Sequence, residues 1–202
     1  MGLENYRRSV SDAKCAAILK AGRDNFLRDG YSRAAVAEIA RDADVSTATL
    51  YKHFTSKEEL FAAVVKDAYL VGEYEGIPEN VSVEDLLVNV ILRYLHSQYE
   101  RQINALLRIV IAEVPSAPQL GRDMFENFVT TRYRDLASIL DRLVARGLLK
   151  QQDTQYAVRL LGGIVKEYFV WPALFEANKT LPADTEAIVR QAVRDYVLLY
   201  GA

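Results

Sequence analysis

The chain has 202 residues, is half hydrophobic, carries a formal net charge of −2 and contains one cysteine, Cys15. That length allows one larger domain or two small ones around a sizeable core, and a near-neutral balance argues against a protein that coats nucleic acid over its whole surface. A lone cysteine excludes an intrachain disulfide or a Cys-rich metal site. No run approaches the roughly 18 apolar residues of a membrane span, and the N-terminus lacks the apolar core of a signal peptide. A cytoplasmic protein with no membrane partner is the expectation.

The distribution of charge says more than its sum. Residues 1–57 hold ten Lys/Arg against seven Asp/Glu, and the remainder holds fifteen against twenty, so a mildly basic head sits on an acidic body, as suits nucleic-acid contact at one end only. Residues 1–9 are polar and are expected to fray, with Arg7 and Arg8 as a possible basic arm. A helix follows from about Ser11 to Asp29, its buried side built from Ile18, Leu19, Gly22, Phe26 and Leu27, and Gly30 ends it.

Val36, Ile39 and Ala40 then recur at i, i+3 and i+4, one face of a short helix. Asp44 in Ala43-Asp44-Val45 tolerates a left-handed turn, and Ser46 is an N-cap for a second short helix. Leu50 and Phe54 make that second helix's inward stripe, which leaves Thr47, Ala48, Thr49, Tyr51 and Lys52 to its outer surface. Two short helices about a tight turn form a helix-turn-helix (about 35–54) whose second member enters a major groove. Lys52 reaches phosphate or guanine, and Tyr51 offers a hydroxyl to phosphate and a ring to sugar or a thymine methyl. Thr47 and Thr49 lie near the helix N-terminus, and Ala48 permits close approach by being small. The bland alternative for each is a solvated helix face.

The pattern Gly30-Tyr31, Val36, Ile39-Ala40, Val45-Ser46, Thr49-Leu50-Tyr51, His53-Phe54 and Ser56-Lys57-Glu58 resembles the N-terminal domain of TetR-type (TetR/AcrR) regulators. The resemblance covers roughly the first third of the chain, and VSTATLYKHFTSKEEL is more specific than a generic helix-turn-helix. It implies an all-α homodimer of about nine helices, with a DNA-binding domain at 12–72 and a larger ligand-binding and dimerisation domain at 73–202. It also implies that a small molecule releases operator DNA, and places His53 where the family contacts phosphate. Three departures stand out. Ala34 and Ala35 replace hydroxyl residues, so the first motif helix loses its usual cap. Asp44 replaces a glycine, and Asn25 replaces an apolar residue.

Ser56-Lys57-Glu58-Glu59 is a capping box that opens the next helix, whose N-terminal amides and Lys57 favour a phosphate. That helix runs towards Val71, and Glu75–Asn80 reads as a turn-rich linker. Further helices are expected at Val83–Tyr99, capped by Ser82, at Ile103–Val114, and at Gln119–Arg146, ended by Gly147. Two more follow at Thr154–Asn178, with a kink or break near Pro172, and at Ala183–Tyr200. No useful period-2 segment occurs, so the fold class is all-α.

Within the body, polar Asn104 and Arg108 stand among apolar neighbours on the helices that hold Tyr94 and Leu107. They either pair in the core or orient a ligand. The resemblance favours a ligand cavity, with Phe125, Phe128 and Trp171 as its aromatic lining. Gly162, Gly163, Val189, Val193 and Tyr196 suggest an extra apolar face on the last two helices, which the family pairs with their copies in a dimer. No metal cluster, cofactor loop or nucleophile with a His partner is present, so neither a cofactor nor an enzyme is expected. The leading expectation is a ligand-responsive dimeric repressor released by a small hydrophobic molecule. The alternative is a DNA-binding regulator or architectural factor with no small-molecule effector.

Overall fold

The structure is a computed structural model that describes residues 3–69 and 81–202, with side chains described from Ser9 onward. The linker expected at 75–80 and the domain boundary expected at 72/73 fall outside the described residues. Nine helices are present among the described residues: α1 (Leu3–Arg33), α2 (Val36–Asp42), α3 (Thr47–His53), α4 (Lys57–Tyr69), α5 (Val83–Glu100), α6 (Ile103–Glu113), α7, α8 and α9 (Thr185–Tyr200). The seventh, α7, comprises Pro118–Met124, a π turn at Phe125–Val129 and Thr130–Ala145. The eighth, α8, comprises Thr154–Val165, a π turn at Lys166–Val170 and Trp171–Phe175. No strand occurs among the described residues beyond one isolated bridge between Leu149 and Gly201.

The chain divides into two compact units, Met1–Leu70 with Ala105–Met124, and Val71–Asn104 with Phe125–Ala202. In the first, α1 packs on α2 and α4, and Ile18, Phe26, Ile39, Leu50, Leu60 and Phe61 are fully buried. Phe26 and Tyr31 both meet Phe61 edge-on, with centroids 4.8 and 5.2 Å apart, a favoured aromatic geometry. Gly22 lets α4 approach α1, since a Cβ there would stand 3.2 Å from Val64. Segment 105–124 belongs with these helices by contact, so the head's compact unit draws on chain well beyond the motif.

Several helix ends follow from local chemistry. Ser46, Ser82 and Asp153 accept from the amides of Thr49, Asp85 and Tyr156, each satisfying an amide the helix leaves orphaned. Ala35, by contrast, offers α2 no side-chain cap. Asp44 is left-handed with φ 52°, and Gly147 ends α7 with φ 69°. Gly30 ends the long stretch of α1 as expected, leaving helical geometry at φ 78°, and a separate short helical turn follows to Arg33. Helix also starts earlier than expected, at Leu3.

Asn25 is fully buried, and its partners explain it. Its Nδ2 donates to the Ala21 carbonyl and to Asp42 Oδ2, at 2.9 and 2.8 Å, and its Oδ1 accepts from Arg28 at 2.7 Å. The amide therefore ties α1 to the end of α2, and its hydrogen bond is the main reason the Asp42 carboxyl is held below its usual range.

In the second unit α5 packs on α9, and α7 packs on α8. Leu87, Leu95, Leu140, Val158 and Val193 lie at its centre. Arg190 stitches α9 to α5 through Glu84 and Asp85, at 3.2 and 2.9 Å. The kink or break expected near Pro172 takes the form of a π turn just upstream. Proline has no amide for Tyr168 to receive, and its ring would crowd that carbonyl, so the wider turn relieves both.

Asn25→Ala leaves Arg28 and Asp42 without their shared partner and opens a void in the core. We expect a loss of about 1–3 kcal/mol in stability, read as a lower urea midpoint; an unchanged midpoint would show that the amide holds nothing in place.

Candidate nucleic-acid interface

Helix α3 is one and a half turns wedged by Leu50 and Phe54, which are 1 % and 6 % exposed. With those two inside, Thr47, Ala48, Tyr51 and Lys52 are exposed, while Thr49 and His53 are half-buried. Among the described residues, nothing holds Lys52 in an ion pair, and the Tyr51 ring is 48 % exposed although large and apolar. Thr49 is partly spent locally: its amide and its hydroxyl both meet Ser46 Oγ, at 3.1 and 2.9 Å. His53 leans against Phe54, with ring centroids 6.3 Å apart.

Of the capping box the sequence suggests, the Ser56 half forms, and the Glu59 carboxylate reaches one residue further back than the N-cap amide. Glu59 N–H donates to Ser56 Oγ at 3.1 Å, while the Glu59 carboxylate reaches back to the amide and hydroxyl of Thr55, both at 2.6 Å. Lys57, expected on phosphate, makes contacts within the protein. Its ammonium donates to the Ser32 carbonyl at 3.1 Å and sits 4.9 Å from the Tyr31 ring centroid. Loss of water around it lowers its pKa, against the pull of Glu58 and Glu113. Sequence reasoning did not single out Ser32, whose hydroxyl donates to Glu113 of α6 at 2.6 Å. A contact across 81 residues leaves no local signal.

The expected pocket residues are divided between the two units. Leu107 and Arg108 belong to the first unit, where Arg108 lines an open cleft of about 270 Å³ with Tyr31, Ala112 and Glu113. In the second unit, Phe125 and Trp171 are surface residues, 59 % and 52 % exposed, and Phe128 is half-buried. Asn104 is buried and accepts from Gln98 Nε2 at 2.9 Å. Burial pushes the Tyr94 phenol up to about 12. Two groups the sequence did not flag lie nearby in the chain: Ser97 Oγ and Gln98 Oε1 are buried with no hydrogen-bond partner among the described residues.

The expected interface residues need correction. Val189, Val193 and Tyr196 face inward, at most 2 % exposed, because this is the side of α9 that packs on α5. Tyr196 spends its hydroxyl on Gln152 at 2.7 Å. Gly162 makes room for Tyr133, which would lie 3.2 Å from a Cβ there, whereas Gly163 has open space. The outward apolar side instead carries Tyr156, Leu160, Tyr168, Trp171 and Phe175 on α8, and Leu198 and Leu199 on α9.

A family model described as the C-terminal domain of AefR-like transcriptional repressors matches residues 85–202, and one described as bacterial regulatory proteins, tetR family, matches residues 18–64. The chain belongs to the TetR family. The HTH-type transcriptional regulator YdeS of Bacillus subtilis is 31% identical over 140 residues, a match that covers 67% of this chain and 62% of YdeS. A TetR-family regulator from Mesorhizobium loti superposes with TM-score 0.80 at 27% identity, over 95% of this chain and 98% of its own. The flavonoid-responsive regulator FrrA superposes with TM-score 0.75 at 25% identity, over 93% and 97%. Membership of the TetR family accounts for the motif and helical body together, and it leaves the particular contacts to this chain's own side chains.

If Lys52 meets a phosphate, Lys52→Ala should bind operator more weakly and lower the slope of log affinity against log salt by about 0.9. Tyr51→Ala should weaken binding as well. Unaltered binding by both folded variants would remove α3's outer face from the interface.

Proposed function

We propose that this TetR-family chain is a cytoplasmic, dimeric repressor that binds operator DNA through α3 and is released by a small hydrophobic molecule. The observation that carries the reading is the exposed outer face of α3, held outward by the burial of Leu50 and Phe54. Thr47, Ala48, Thr49, Tyr51, Lys52 and His53 are the proposed contact set, short enough for one major groove.

A second copy supplies what a single reading helix lacks. Tyr156, Leu160, Trp171 and Phe175 recur at helical spacing along α8 and are 36–85 % exposed, more apolar surface than one helix normally leaves to water. Pairing along that side, with Gly163 permitting close approach, would set two copies of α3 about one helical turn of DNA apart, roughly 34–36 Å, or somewhat more.

For the effector, support comes from FrrA, which is flavonoid-responsive, and from Ser97 and Gln98, whose orphaned oxygens suit a ligand that brings an O–H or N–H. Tyr94, Asn104 and Phe128 are the proposed companions on the same unit, and Trp171 is better assigned to the dimer face. The second reading, a regulator without a small-molecule effector, draws on the same unit: Phe125 and Trp171 lie on its surface, and neither described cleft belongs to it.

Two measurements separate these readings. The DNA flanking the chain's own gene should shift on a gel, and a panel of flavonoids and other hydrophobic phenols should reverse the shift. Calorimetry should show the active compound binding more weakly in the presence of operator, by about two decades for a coupling of about 3 kcal/mol; equal affinities would favour the second reading. Leu160→Asp or Phe175→Asp should convert a sedimenting dimer to monomer, and a dimer that survives both would place the interface elsewhere.

A further inference from the structure

Ser32 stands at the centre of a small polar joint in the first unit. Its hydroxyl donates a hydrogen bond to Glu113 Oε1 at 2.6 Å, and its amide also donates to that carboxylate. Its carbonyl receives Lys57 Nζ at 3.1 Å. The Glu113 carboxylate is further held by Ser116 Oγ at 3.0 Å. The Tyr31 ring lies under the ammonium, and the Tyr31 hydroxyl is bonded to Glu58. Ser32 thus faces Lys57 with an acceptor and Glu113 with donors, and Glu113 comes from α6, far along the chain.

Lys57 is the first residue of α4, beside helix-terminal amides that would themselves attract phosphate. A lysine placed there but turned inward is a contact withheld. We propose that Glu113 is a positioning residue for DNA binding: by fixing Ser32 and attracting the Lys57 ammonium, it keeps Lys57 off the DNA backbone, and releasing Glu113 hands that ammonium to a phosphate. The inference rests on the reading that the α3 face binds operator, and it adds a control over how many phosphates the head engages.

A DNA phosphate competes for the ammonium with the carboxylates of Glu58, its chain neighbour, and Glu113. The Ser32 hydrogen bond is the main reason the Glu113 carboxyl is held below its usual range, so at neutral pH it stays charged. A Gln at 113 keeps an acceptor for the Ser32 hydroxyl while removing the charge that draws Lys57 inward. The ammonium then exchanges a carbonyl and a ring face for a fully charged phosphate oxygen, a stronger partner for a charged donor.

The test is the salt dependence of binding to the DNA flanking the gene, measured for the wild type, Lys57→Ala, Glu113→Gln and the double variant. Each phosphate contact adds about 0.9 to the slope. Lys57→Ala alone should leave the slope as in the wild type. Glu113→Gln should steepen it by about 0.9, so that it loses about threefold more affinity than the wild type between roughly 50 and 200 mM salt. The double variant should return to the wild-type slope, which separates a handed-over contact from a general gain of positive charge. A flatter slope for Lys57→Ala alone would mean that Lys57 already meets phosphate, and a wild-type slope for Glu113→Gln would remove Glu113 from control; either overturns the inference. Failure of the wild type to bind that DNA at all would strike instead at the operator reading beneath it.

Discussion

Everything that this chain offers to DNA depends on the burial of Leu50 and Phe54. Helix α3 has seven residues, too few to persist as a helix in water. Its existence is owed to the Ser46 cap and to the two side chains driven into the core with Phe26, Ile39 and Phe61. Truncating a fully buried leucine costs about 2–5 kcal/mol, a large share of the stability of a small domain. The same burial fixes rotation about the helix axis, so Ala48, Tyr51 and Lys52 have no orientation open to them except outward. Fold and recognition face are one constraint here.

The polar groups of the first unit refine this arrangement. Asn25 spends both amide hydrogens and its side-chain oxygen within α1 and on Asp42, which positions the end of α2 just before the left-handed turn at Asp44. Where the capping hydroxyl of α2 is missing at Ala35, this buried amide supplies a different attachment for the same helix at its other end. The joint of Tyr31, Ser32, Lys57 and Glu113 plays a comparable part at the start of α4. Both sets use side chains distant in sequence, and both act on elements that flank the reading helix without being part of it.

What was legible in the sequence tracks how local each signal is. Ser46 and Ser82 act within one helical turn, and both caps form. The left-handed turn at Asp44 follows from its own side chain and neighbours. The two faces of α9 are another matter. Val189, Val193 and Tyr196 and, opposite them, Leu198 and Leu199 are all apolar or aromatic, so periodicity marks a stripe without saying which side water reaches. Only packing against α5 settled it. Pro172 announced a disturbance, but whether the chain breaks or widens into a π turn depends on the fit of α8 around it. Lys57 was placeable beside phosphate by its position in the capping box, while its inward turn depends on Glu113, which no local pattern connects to it.

The central claim, that α3 presents its outer face to a major groove, is tested most directly by dimethyl sulfate interference on the DNA flanking the gene. Guanine N7 faces the major groove, and adenine N3 faces the minor groove. The account predicts that N7 methylation blocks binding at two symmetric positions, one for each copy of α3. Interference confined to adenine N3, or none within a fragment that the protein binds, would contradict it.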